Sequence, residues 1–232
     1  ETARDLAKYS LNNGKHFVTA NKALLAHHGF ELACLAENKG VSIVYEAAIA
    51  GGIPIVKTMR EGLAANKIES IFGILNGTCN YILTEMQKSE RSFETVLVEA
   101  QEKGYAEADP SFDVDGIDAA HKLTLLTALA FGAKPDFNAL DITGIGAITA
   151  QDIVFANQLG FQIKLLGIAK KKNNKILQRV EPCLVAKDSA LGSVDGVFNA
   201  VFVRGDFVNR VMCEGPGAGE GPTASAVVAD II

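Results

Sequence analysis

The sequence predicts an α/β segment joined to an α+β domain. Three observations carry this. Over the first 45 or so residues, stretches with helical spacing alternate with short β-branched runs. From Phe161 the apolar period becomes two, with turn residues between paired runs. Between the two regimes, Ala50-Gly51-Gly52-Ile53-Pro54 breaks the pattern and marks a candidate domain boundary.

From Glu1 to Leu11, residues Ala3, Leu6, Ala7 and Leu11 form one apolar stripe, and Gly14 is a stop. His16 to Ala20 reads as a short buried strand. Asn21 caps a helix carrying Leu24, Leu25, Leu32 and Leu35, and Val41 to Val44 is a second strand. Such alternation builds βα units of a parallel sheet. A sheet of that kind opens with a strand and a glycine-rich turn, and neither is in the sequence. Residues 1–45 are therefore expected to be the C-terminal remnant of a Rossmann-type nucleotide-binding domain.

Pro54 suits the first turn of a helix, where a missing N–H costs nothing. Ile68 to Leu75 reads as a strand ending at Asn76-Gly77, with a helix from Thr78. Ser92 caps a helix from Phe93 to Lys103, stopped by Gly104. Tyr105 to Asp115 is an acidic loop, and Gly116 to Gly132 has long helical periodicity. Phe161 to Ala169 and Ile176 to Ala186 form a hairpin, with Lys170-Lys171-Lys172 and Asn173-Asn174 at its tip. Asn199 to Arg204 and Phe207 to Cys213 pair about Gly205-Asp206. A glycine-rich turn follows, and a helix starts at Pro222. The expected division is 1–45, a domain over 46–214, and 215–232 returning to the nucleotide-binding part.

Composition narrows the function. With 48% hydrophobic and 21% charged residues, the chain can bury a substantial core. A formal charge of -5 disfavours a nucleic-acid partner. No apolar run reaches the roughly 18 residues that span a bilayer, so no membrane association is expected. Cys34, Cys79, Cys183 and Cys213 are far apart, as suits reduced thiols in a cytoplasmic protein. The histidines show no metal spacing; His27 and His28 cannot share a helix face, and His121 reads as a neighbour of the site.

Chemistry concentrates in the segment from Gly104 to Lys122. It holds Glu107, Asp109, Asp113, Asp115 and Asp118, and Lys122 lies one helical turn after Asp118. On a helix starting near Gly116, Asp118 and Lys122 share a face, and Asp118 sits where the helix dipole favours an anion. A calcium loop is a poor fit, because Asp113-x-Asp115-Gly116 lacks the later acidic ligands. Glu214 to Thr223, between a strand and a helix, is neither a G-x-G-x-x-G fingerprint nor a P-loop.

Five stretches of sequence resemble homoserine dehydrogenases. Gly104-Tyr105-Ala-Glu107-Ala-Asp109-Pro110 is similar to the family's G-Y-x-E-x-D-P, with Ala108 where many members have proline. Asp113-Val-Asp-Gly116-Ile-Asp118-Ala-Ala-His-Lys122 resembles its D-x-x-G-x-D-x-x-x-K helix. Asn21-Lys22-Ala23 resembles the V-T-x-N-K-A stretch, and Asn76 to Leu83 the N-G-T-x-N-Y-I-L turn. Glu46 to Pro54 is similar to a further family loop.

The resemblance implies reduction of L-aspartate 4-semialdehyde to L-homoserine with NADP or NAD, in threonine, methionine and isoleucine biosynthesis. It implies Lys122 as proton donor, Asp118 as a substrate-binding acid that orients it, and Glu107 as partner of the substrate ammonium. It also implies Lys22 in cofactor contact and catalysis, with Gly104 and Gly219 beside the cofactor. A monovalent cation, usually sodium, would be held by Glu46, Ile49, Gly51 and Ile53, and the mixed-sheet region would pair a homodimer. Because the opening strand and glycine turn are absent, the chain is expected to be a fragment, inactive by itself. Two other readings stand beside this one: a non-catalytic assembly or regulatory module of the same fold, and a dehydrogenase for another small amino-acid aldehyde.

Overall fold

The computed structural model describes residues 2–232, so Glu1, the expected start of the first helix, lies outside the described residues. The chain opens with helix α1 (Thr2–Asn12), strand β1 (Phe17–Val18), helix α2 (Lys22–Lys39) and strand β2 (Ile43–Val44). Asn21 caps α2 as expected: its Oδ1 accepts the Leu24 N–H at 3.0 Å. β1 and β2 pair in parallel, Phe17 beside Ile43 and Val18 beside Val44. Ala7, Leu11, Leu24, Leu32 and Ala36 are the buried residues of a small separate core.

Past two short helices, α3 (Ala47–Ala50) and α4 (Ile55–Lys57), a wider π turn spans Thr58–Gly62. Then come β3 (Ile68–Ile74), α5 (Gly77–Ser89), α6 (Phe93–Glu102), α7 (Ser111–Val114) and α8 (Ile117–Phe131). The second half holds β4 (Asp141–Ile142), α9 (Ala150–Gln158), β5 (Phe161–Lys172), β6 (Lys175–Ala186), β7 (Phe198–Gly205), β8 (Asn209–Pro216) and α10 (Glu220–Ile231). The six strands form one sheet in the order β4-β6-β5-β3-β7-β8, in which only the β4–β6 pair is parallel. α8 packs on β3, β5 and β6, and Leu123 and Leu126 of α8 join Ile71 and Leu75 in the main core. α8 is thus fixed along nearly its whole length, which matters for the side chains it presents.

Three local expectations are corrected. Lys170–Lys172 are not the hairpin tip: they pair with Lys175, Ile176 and Leu177, and only Asn173 and Asn174 turn, both at positive φ. That is the two-residue connection whose twist matches its strands. The β7–β8 turn spans Asp206 to Val208, because Gly205 pairs with Asn209; Phe207 is exposed in the loop rather than opening a strand. Asp206 fixes the turn by accepting the N–H groups of Lys67 and Phe207, each at 2.9 Å. α10 begins at Glu220, with Pro222 inside its first turn.

β4 and α9 were not expected from periodicity. α9 has a reciprocal capping box, Thr149 Oγ1 accepting the Asp152 N–H and Asp152 accepting the Thr149 N–H. Thr149→Ala should cost about 1 kcal/mol in urea unfolding. No loss would show that α9 is held by packing alone.

Candidate active site

α8 starts at Gly116, whose left-handed φ of 85° turns the chain into the helix. A side chain there would be strained, and its Cβ would also press on Val180 and Ile142. One turn in, Asp118 and Lys122 project from the same face, with Lys122 Nζ 2.8 Å from Asp118 Oδ2. The lysine also donates to the Leu75 carbonyl at 2.7 Å, at the end of β3. Lys22, the first residue of α2, reaches across to Asp118 Oδ1 at 3.0 Å. One carboxylate therefore bridges two ammonium groups delivered by different parts of the chain.

Asn76 completes the arrangement. Its Oδ1 caps α5 by accepting the Cys79 N–H at 2.8 Å, which leaves its amide N–H groups for Asp113 (2.7 Å) and Asp118 (2.9 Å). Thr78 Oγ1 donates to the Tyr105 carbonyl at 2.7 Å and so ties the acidic loop to the same turn.

Burial alone would raise the Asp118 carboxyl, but Lys122 and Lys22, with the bonds from Lys122 and Asn76, outweigh it and hold it at about 2. Asp113 moves the other way: burial and the neighbouring Asp118 charge raise it, against the Asn76 bond. The Cys79 thiol is pushed up by burial and by Asp113 and is inert as a nucleophile. At 3 Å and an effective dielectric near 20, each ion pair attracts by roughly 5 kcal/mol, against several kcal/mol of desolvation per buried ion. The two nearly cancel. The bridge positions charge more than it stabilises the fold.

These groups line a cleft of ≈ 530 Å³, within the range of small-ligand sites. Its walls bring together Lys22, Asp118 and Lys122 with Gly51, Gly104 and Gly219. Opposite them runs the Pro216–Gly219 turn. A Cβ on Gly217 would fall 2.1 Å from the Asn199 side chain, so only glycine allows this approach. Glu107 stands apart: it is exposed and outside the cleft lining, and its backbone carbonyl accepts from Gln101.

Glu46, Ile49 and Ile53 lie behind the cleft and are buried. The Glu46 carboxylate accepts the N–H groups of Val56 (2.7 Å) and Lys57 (2.9 Å), and the Ile53 carbonyl accepts from Ile55 at 2.8 Å. Burial, with Asp230 nearby, raises the Glu46 carboxyl against those two bonds.

Sequence reasoning missed three members of the site. Asn76 enters the sequence reading as the end of a strand and the start of a family turn, without a role in the site, although its place before a helix marks it as a cap. The Leu75 carbonyl has no side-chain signal at all. Asn199, 1% exposed in the cleft wall with its amide unpartnered among the described residues, was read only as a strand residue.

A parallel βα unit set against a mixed-sheet body, with a charged cleft where they meet, defines a two-part α/β protein whose site lies between its parts. The family model described as "Homoserine dehydrogenase" matches residues 54–232, and "Homoserine dehydrogenase, NAD binding domain" matches residues 1–46. The chain belongs to the homoserine dehydrogenase family. It is 53% identical over 230 residues to a homoserine dehydrogenase of Neisseria gonorrhoeae, covering 99% of this chain and 53% of that one. A Pseudomonas aeruginosa homoserine dehydrogenase is 51% identical over the same shares. The solved homoserine dehydrogenase of Thiobacillus denitrificans superposes with a TM-score of 0.98 at 53% identity, over 100% of this chain and 54% of that one. A hyperthermophilic archaeal homoserine dehydrogenase in complex with NADPH gives 0.86 at 32% identity, over 99% and 67%. The chain spans about half the length of the curated relatives it matches. No helix among the described residues is long and apolar enough to cross a membrane.

Proposed function

We propose that this chain supplies the substrate site of an NAD(P)-dependent homoserine dehydrogenase, interconverting L-aspartate 4-semialdehyde and L-homoserine. One observation carries the reading: Asp118 bridges Lys22 and Lys122 inside a cleft walled by a glycine turn. Residues 1–45 are read as the end of a Rossmann-type nucleotide-binding domain, 46–214 as the substrate and dimerisation domain, and 215–232 as the return. The contact of α10 with β1 supports that return.

The residues present suit the nicotinamide end of the cofactor. Lys22 follows β1, at the carboxyl ends of the parallel strands, where such sheets bind ligands. Gly217 clears the facing wall, and the unpartnered Asn199 amide beside it leaves donors and an acceptor unspent. Bound there, the nicotinamide supplies the hydride that the aldehyde carbon accepts. As charge builds on the aldehyde oxygen, Lys122 stabilises it and then donates a proton from Nζ. Lys22 adds a second positive charge, and Asp118 keeps both ammonium groups aimed into the cleft. Gly104 and Gly219 line the same walls. Glu107, on the loop that follows Tyr105, is assigned the substrate α-ammonium from the family resemblance.

For a monovalent cation, the residues present are a partial fit. Asp230, which accepts the Glu46 backbone N–H, lies near enough for its charge to raise the Glu46 carboxyl, and Lys57, with Nζ 3.8 Å from Asp230, partly offsets both acids. The Ile49 and Gly51 carbonyls accept no hydrogen bond among the described residues. Sodium there would offset the remaining charge. The sheet face carrying Ile74, Leu166 and Ala200 extends into half-buried Phe72 and Met212, which suits a homodimer. A cytoplasmic enzyme is the setting these features fit.

The test follows NADPH oxidation by the intact enzyme carrying this chain, with L-aspartate 4-semialdehyde, in sodium and in choline buffers. Turnover that is faster in sodium is expected. No turnover with this or any small amino-acid aldehyde would leave the non-catalytic module as the reading. A preference for another aldehyde would reassign the substrate.

A further inference from the structure

We infer that His27 and His121 form a positioning pair that clamps α2 onto α8 and so sets Lys22 against Asp118. This rests on the function proposed above. Beside the apolar packing of Leu25 into the core that α8 shares, two polar side-chain contacts join the two helices. One is the Lys22–Asp118 ion pair. The other is a ring contact, His27 Nε2 to His121 Nε2 at 3.3 Å. His27 follows Lys22 on α2, and His121 lies between Asp118 and Lys122 on α8, so the contact joins the same two helical segments that carry the charges.

The surroundings fix which ring donates. His121 is 5% exposed and stacks on Phe137 at 4.5 Å, with Phe112 at 5.7 Å on its other flank. Its Nδ1 is buried without a partner. A buried N–H left without an acceptor is the rarer and costlier vacancy, so Nδ1 is the bare nitrogen and Nε2 carries the hydrogen. His121 therefore donates and His27 accepts. His27 is exposed, so the hydrogen on its other ring nitrogen needs no partner from the protein.

A single proton undoes this. Protonated His27 offers Nε2–H towards Nε2–H of His121, and two donors repel. The charged and titratable groups around His121 do not rescue it. From α2 come His27, with His28 beside it, and Lys22; from α8 come Asp118, already bridged by two lysines, and Lys122; Phe112 and Phe137 bring only uncharged rings. Burial first, then His27 and Lys22, also press His121 to stay neutral. Neutrality on both rings keeps this contact between α2 and α8.

The test measures kcat/KM against pH from 5 to 9 for the intact enzyme and for His27→Gln and His27→Phe, with Tm as a folding control. Gln can accept from His121 but cannot take up a proton. His27→Gln should match the unaltered enzyme at pH 8 and keep its rate on the acid side, where the unaltered enzyme loses activity. His27→Phe, which cannot accept, should lose about 5- to 10-fold at pH 8, the worth of one hydrogen bond, and show no further acid limb. An acid limb unchanged in His27→Gln, or full activity of His27→Phe at pH 8, would overturn the pair. If the unaltered enzyme reduces no aldehyde at any pH, the function reading fails, and side-chain ¹⁵N shifts of this chain decide the pair. His121 as the Nε2–H tautomer, moving as His27 titrates, supports it; two rings titrating independently reject it.

Discussion

Lys122→Ala in the intact enzyme should lower kcat for aldehyde reduction by about 10²- to 10⁴-fold, the usual worth of a positioned proton donor that also meets developing charge. The loss should fall on kcat more than on KM, since the interaction strengthens only as the oxygen becomes anionic. Folding should survive. Asp118 keeps Lys22 and Asn76 as partners, so no charge is stranded, and the Leu75 carbonyl alone loses its donor. That vacancy should cost about 1–3 kcal/mol. Turnover at the unaltered rate would remove Lys122 from the chemistry.

Asp118→Ala is the more damaging change to the protein itself. It leaves Lys22 and Lys122 facing each other with no counter-ion between them, and Lys122 is buried. Breaking a buried pair from one side costs about 3–5 kcal/mol, measured here by urea unfolding, in addition to the loss of activity. Acid should show the same dependence. The Asp118 carboxyl stands at about 2 instead of 3.8, so its folded pKa is depressed. Its stabilisation, on the order of 2 kcal/mol, is complete above about pH 4 and is lost as pH falls through about 2. Asp118→Ala should flatten the fall in stability between those values. An unchanged slope would show that the two lysines do not hold the carboxylate.

The helical part of the site could be read from sequence because its geometry is local. Spacing of four places Asp118 under Lys122 whatever packs around them, and the structure keeps that pair at 2.8 Å. Asn21 before α2 and Ser92 before α6 were legible for the same reason, since a cap bonds within its own first turn. What escaped depends on contacts distant in sequence. The Leu75 carbonyl meets Lys122 only because β3 ends beneath α8, and Asn76 reaches Asp113 and Asp118 across that junction. α9 is a different kind of miss: Thr149-x-x-Asp152 is a local signal that was overlooked. The sheet order, with β3 between β5 and β7, follows from no residue pattern, because period two gives strand faces but not neighbours.

The chain passes between its two parts twice, once near Tyr45 to Gly52 and again near Pro216 to Gly219. These passages are fastened together: the Gly52 N–H donates to the Pro216 carbonyl at 3.1 Å, and the Glu46 N–H to Asp230 at 2.8 Å. Lys22 belongs to the part before the first crossing, whereas Asp118 and Lys122 share one helix of the other part. A relative displacement of the two parts would thus change the Lys22–Asp118 distance and leave Lys122–Asp118, both on α8, as it is.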